Sequence, residues 1–132
     1  MANDKHVALL KKGVAAWNEW RAKNPDIRPD LREANFSKAD LSRADLSLAN
    51  LSRADLSRAD LSFANLSVAH LNRADLTCTN LSGAMLNTAN LSEANLTFAN
   101  LSFANLSWAH LGGARLSKFE RGAALRLASF QQ

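Results

Sequence analysis

Leucine returns every five residues from Leu31 to Leu116, and a single substitution, Phe36, interrupts the series. That period excludes the two common regular structures. On an α-helix, five steps of about 100° leave successive leucines about 140° apart, scattered around the cylinder. On a flat strand an odd step alternates faces, so every second leucine would point into water. The chain must turn once per block and bring each leucine back to one shared interior. Residues 29–118 divide into eighteen such blocks with no insertion, for example Ala39-Asp40-Leu41-Ser42-Arg43 and Ala99-Asn100-Leu101-Ser102-Phe103. The first position is Ala except at Pro29 and Thr79. The second is Asp or Asn except at His70, Met85, His110 and Arg115. The fourth is mostly Ser or Thr, and the fifth is unrestricted. Small Ala beside large Leu suits a narrow interior filled in layers. The centre of the predicted core is Leu41, Leu46, Leu51, Leu56, Leu61, Leu66, Leu71 and Leu76.

These blocks resemble the pentapeptide-repeat family, whose pattern is Ala-(Asp/Asn)-Leu-x-x, over about two thirds of the chain. The resemblance implies an all-β solenoid, a right-handed quadrilateral β-helix with four sides and twenty residues per coil. Eighteen blocks then make about 4.5 coils, or 5 with a degenerate tail. Stacked at the β spacing of ~4.8 Å, they would stand roughly 20 Å tall. It also implies a role in protein interaction, and self-association through C-terminal ends as in several members. The best-known members protect DNA gyrase by imitating the charge and shape of duplex DNA.

The chain divides into residues 1–28, residues 29–118 and residues 119–132. In the first segment, Asn3 or Asp4 can cap one helix running to about Lys23, ended by Pro25 and Pro29. Val7, Leu10, Val14 and Trp17 share a face of it, with Ile27 at the joint. A solenoid needs such a lid where its core and strand edges would meet water. Lys5, Lys11, Lys12, Arg21 and Lys23 also suit a basic amphipathic helix, the weaker reading. After Lys118 the register breaks at Phe119-Glu120-Arg121-Gly122. Two degenerate blocks over residues 123–132, or a short helix over 119–128, are the alternatives there.

Positions twenty apart stack, so the outward columns can be read off the fifth positions. Glu33, Arg53, Arg73, Glu93 and Gly113 make one, and Lys38, Arg58, Cys78, Phe98 and Lys118 the next. Arg43, Phe63, Gly83 and Phe103 make the third, and Leu48, Val68, Thr88 and Trp108 the fourth. Two sides are charged and two apolar. Leu48, Phe63, Val68, Phe98, Phe103 and Trp108 are therefore the candidate interaction surface, for a protein partner, a second copy of the chain or the chain's own C-terminal tail. The C-terminal end is the other place where two copies could meet.

Charge argues against nucleic acid as partner. Residues 29–118 hold eight Lys/Arg and eight Asp/Glu, and the excess of +4 lies outside them. The acids that DNA mimicry needs, Asp40, Asp45, Asp55, Asp60 and Asp75, are interleaved with Arg43, Arg53, Arg58 and Arg73, which should relieve repulsion between stacked aspartates. A gyrase-binding DNA mimic is the alternative function, and a non-catalytic interaction scaffold the primary one. His70 and His110 lie two coils apart, roughly 10 Å, beyond the span of one metal ion. With His6 they are read as ordinary surface groups. No catalytic residue, metal or cofactor is expected. The lone Cys78 fits a reducing compartment, and no apolar stretch nears the ~18 residues that span a bilayer, so a cytoplasmic protein is expected.

Overall fold

The computed structural model describes residues 2–117. Among them, two short helices precede a coil whose rungs pair in parallel at a spacing of twenty residues, from Asp30↔Asn50 to Asn90↔His110. Regular strand is almost absent: only β1 (Asn95–Leu96) and β2 (Arg115–Leu116) extend beyond a single bridge. The rest of each side is a turn. The reading of 119–132 as degenerate blocks or a helix lies outside the described residues.

Three hydrogen bonds per block tie one coil to the next. Leu41 N–H donates to Asp60 O at 2.8 Å, Arg43 N–H to Ser62 O at 2.9 Å, and Asp60 N–H to Ala39 O at 2.9 Å. Within the block, Ala44 N–H donates back to Leu41 O at 3.1 Å, closing a β-turn with Ser42 and Arg43 at its centre. This turn requires a positive φ at its third residue, the fifth position of the block, where the sequence allows any residue type. Every fifth position from Glu33 to Trp108 takes it, with φ between 58° and 65° at the fifteen that are not Gly. L-residues lose roughly 1 kcal/mol in this region. Val68 and Thr88, branched at Cβ, fit it worst. The ladder and core hold them there.

Leucines and alanines fill the interior as the period requires. Leu31 through Leu111 are buried at every third position, with Phe36 among them. Thr79 replaces an interior Ala and is fully buried; its hydroxyl donates to Leu56 O at 2.7 Å, so no polar group is stranded.

The lid is a helix pair, not the single helix expected. α1 (Asp4–Lys12) ends at Gly13, whose φ of 138° and ψ of 157° break the helical path, and α2 (Val14–Lys23) starts there. Only Gly enters that region without a steric cost. The break lets the pair fold over the first coil, with Leu10 and Trp17 buried and Val7 and Val14 partly buried against the core. Ile27 is exposed and contributes its carbonyl, not its side chain, to the joint.

A first coil leaves second-position N–H and C=O groups and fourth-position C=O groups with no preceding rung. On two of the four sides the lid replaces that rung. Asp30 N–H donates to His6 Nδ1 at 3.0 Å, and Asp30 O accepts from Asn3 N–H at 3.0 Å. Asp45 N–H donates to Asn18 Oδ1 at 2.8 Å, and Asp45 O accepts from Trp17 Nε1 at 2.7 Å. Arg21, 3% exposed, donates to Ile27 O at 2.6 Å and Ser47 O at 3.0 Å. Among the described residues its Nε is the one buried side-chain polar atom without a partner.

His6 is thus not the ordinary surface group expected: its ring packs on Trp20 at 5.1 Å between centroids, and its Nδ1 must stay unprotonated to accept. Burial lowers its pKa below 6.5, Asp30 opposes that, and Arg21 adds to it. The unfolded chain then takes up the proton first. His6 contributes its full stabilisation above pH 6.5 and loses it as pH falls through the lowered value.

Two measurements check this account. Thr88→Gly should raise stability in urea by roughly 0.5–1 kcal/mol, by removing a strained Cβ from an exposed corner. His6→Asn, which keeps an acceptor but cannot titrate, should flatten the loss of stability that the natural chain shows below pH 6.5.

Candidate functional site

The outer surface is built from two kinds of position with different duties. Second-position Asp and Asn carbonyl oxygens accept from the N–H and hydroxyl two residues on. Asp45 Oδ1 takes Ser47 N–H at 3.1 Å and Ser47 Oγ at 2.6 Å, and Asn80 does the same with Ser82 at 3.0 and 2.7 Å. These Asx turns explain both the Asp/Asn and the Ser/Thr preference. The serines hold corners, as a recurrent repeat position suggests. Ser42, first by its hydroxyl and then by its N–H, holds the Asp40 carboxyl below the usual carboxylate range.

The expected relief of stacked aspartates by arginines does not occur. Asp40↔Asp60 and Asp55↔Asp75 do stack. Among the described residues, however, no ion pair joins Arg43, Arg53 or Arg58 to an aspartate. The Arg43 guanidinium instead lies over the Phe63 ring, 5.0 Å from its centroid, and Arg73 pairs with Glu93 at 2.8 Å. Asp40, Asp45, Asp55, Asp60 and Asp75 each accept from the residue two positions on, a duty that Asn performs at other corners.

The candidate surface residues separate into three groups. Leu48 is half-buried, with Arg28 donating to its carbonyl at 3.0 Å, so it adds little exposed apolar area. Phe98, 73% exposed, stands alone on a neighbouring corner between Cys78 and the late coils. Phe63, Val68, Phe103 and Trp108 flank a single face, with Phe103 93% and Trp108 54% exposed. Between those two columns lies Met85, 42% exposed, which column reading of the fifth positions missed. Its signal was visible as a Met where Asp or Asn belongs.

Gly83 completes the face. A Cβ there would meet the Phe63 ring at 2.5 Å, so glycine lets that ring lie down along the next coil. The rungs 63–68, 83–88 and 103–108 contain no Asp, Glu, Lys, Arg or His. On the neighbouring face rungs 78–83 and 98–103 also lack them, but rung 58–63 carries Arg58 and Asp60. One outward hollow is polar, lined by Ser52, His70, Asn72 and Arg73, and another, between the lid and the first coil, is lined by Leu10, Gly13, Phe36 and Leu41. Among the described residues no group of His, Cys, Asp and Glu is placed to hold a metal ion. No described helix is long and apolar enough to cross a membrane.

The pattern of the family "Pentapeptide repeats (8 copies)" matches residues 30–67, 54–92 and 86–117. Among solved structures, the chain is similar to the pentapeptide repeat protein alr5209 of Nostoc at 33% identity and a TM-score of 0.74, covering 89% of this chain and 95% of that one. It is similar to HetL of the cyanobacterium Nostoc, a pentapeptide repeat protein involved in heterocyst differentiation regulation, at 43% identity and a TM-score of 0.62. That match covers 63% of this chain and 37% of HetL, so the chain spans little more than a third of HetL's length. Rfr23 of Cyanothece is 36% identical over 74% of this chain and 58% of that one, with a TM-score of 0.53. No curated protein matches.

The duty assigned to second-position oxygens has a direct check. Asp60→Asn should leave stability in urea unchanged, whereas Asp60→Ala should lose about 1 kcal/mol by stranding the Ser62 donors.

Proposed function

Because the chain belongs to the pentapeptide repeat family, we propose that it is a non-catalytic docking scaffold, a coil of about 4.5–5 turns that presents one apolar face to protein. The observation that carries this reading is the cluster of exposed Phe63, Met85, Phe103 and Trp108 on three successive rungs that hold no charged residue. Such contiguous apolar surface rimmed by polar groups marks a contact. Aromatic residues and Met are also the side chains enriched at interface centres. The alternative, a gyrase-binding DNA mimic, lacks comparable support, because mimicry needs a continuous negative surface and these aspartates alternate with arginines. A reducing, cytoplasmic setting fits the single cysteine, exposed Cys78.

Trp108→Asp tests the reading. Its urea midpoint should match the natural chain, since the side chain lies outside the core, while a bound protein or the self-associated state is lost. An unchanged oligomer together with an unchanged set of bound proteins would sink the proposal.

A further inference from the structure

We infer that the occupant of the Met85 face is a second copy of this chain, docked antiparallel about a two-fold axis through Met85. The inference rests on the docking reading above and names its partner.

Three observations converge. First, the face is neutral over three successive rungs. In a two-fold contact the same patch meets itself, so any charge near its centre would oppose its own copy. An uncharged face is complementary to itself, and it offers nothing to the phosphates of a nucleic acid. Second, the face is levelled. The Phe63 ring lies along Gly83, where a Cβ would clash at 2.5 Å, so the ring lies flat along the next coil. A flat surface fits another flat surface.

Third, the residues are disposed symmetrically about one rung. Phe63 and Phe103 stand one coil before and one coil after Gly83, and Val68 and Trp108 do the same about Thr88. A two-fold axis through Met85, perpendicular to the coil axis, therefore places Phe63 opposite the second copy's Phe103 and Val68 opposite its Trp108. Met85 meets Met85, and the helical lids fall at opposite ends. The parallel alternative, with the axis along the coil, would stack Asp45 on its own copy and is disfavoured by like charge.

Met85 has no Asx role to perform, so its thioether at this one second position is explained by the contact. The patch spans two coil steps, about 10 Å between Phe63 and Phe103. A patch about 10 Å on a side covers on the order of 100–200 Å², below the ~800 Å² per partner of a standard interface, so the dimer is weak and dissociates on dilution.

Light scattering on the full chain across a dilution series, down from about 100 µM, gives the first test. The natural chain should be dimeric at the top of the series. Phe103→Glu should weaken association at least tenfold, while Phe98→Glu on the neighbouring corner should not change it. In a Cys78→Ser background, Met85→Cys should cross-link to itself under mild oxidation. Phe63→Cys mixed with Phe103→Cys should give the mixed disulfide in excess over either self-pair. A natural chain that stays monomeric at about 100 µM overturns the self-docking inference and leaves the scaffold reading to the Trp108→Asp test. A dimer that survives Phe103→Glu, or that forms no Met85→Cys cross-link, also overturns it, because the copies then meet elsewhere.

Discussion

The hydrogen bonds between coils set the terms for everything else in this molecule. Each block donates forward through its leucine N–H and its fifth-position N–H, and receives one bond from the next coil through its first-position carbonyl. Those bonds can form only if every side closes in five residues. Closing a side in five residues requires a sharp turn with positive φ at the corner. The non-glycine corners from Glu33 to Glu93 accept that conformation because each is held by the ladder on one side and by a buried third-position side chain on the other. Strain of roughly 1 kcal/mol at each corner is offset by the ~1.5–3 kcal/mol gained as each leucine leaves water.

A ladder with a direction has unequal ends, which explains the form of the lid. Second-position N–H and C=O groups of the first coil face no earlier rung, so a merely apolar cover would strand them. The helix pair supplies polar atoms at the two sides it crosses: His6 and Asn3 at Asp30, Trp17 and Asn18 at Asp45. Arg21 extends this with a buried guanidinium that holds carbonyls without any carboxylate. The lid acts as a substitute rung assembled from side chains. Breaking the helix at Gly13 is what lets two helices reach two sides.

The outer surface follows the same logic of duties already taken. Second- and fourth-position side chains are engaged in Asx turns, so their identity is dictated by the corner and carries little information about partners. Information about partners resides where the pattern is broken or free. Met85 breaks it, Gly83 makes room for Phe63, and Phe103 and Trp108 occupy free corners in full view of solvent. The charges of this face, Arg43 and Asp45, lie on its first rung, and the three rungs beyond it are neutral.

Much of this was legible from the five-residue period. The buried leucines follow from it, because one repeated geometry maps sequence position directly onto space; the twenty-residue stacking, and with it the identity of the outward columns, follows from the family resemblance that the blocks carry. The Asx turns were half legible, as a preference for Ser and Thr after Asp or Asn. Positive φ at the corners was not, because Arg, Phe, Val and Trp give no local sign of it. The helix break at Gly13 could be suspected only as a glycine in a helical pattern. The roles of His6, Arg21, Leu48 and Met85 were decided by tertiary structure. His6 and Arg21 take their partners from residues more than twenty positions away or across the lid, and no period relates them. Leu48 is covered by a neighbouring segment, and Met85 becomes part of a surface only when two corner columns are seen on either side of it. The sequence by itself determined the coil, since repetition makes local geometry and global fold the same problem. Only the folded chain decided how its open end is closed and which face is left bare, since those depend on contacts that occur once.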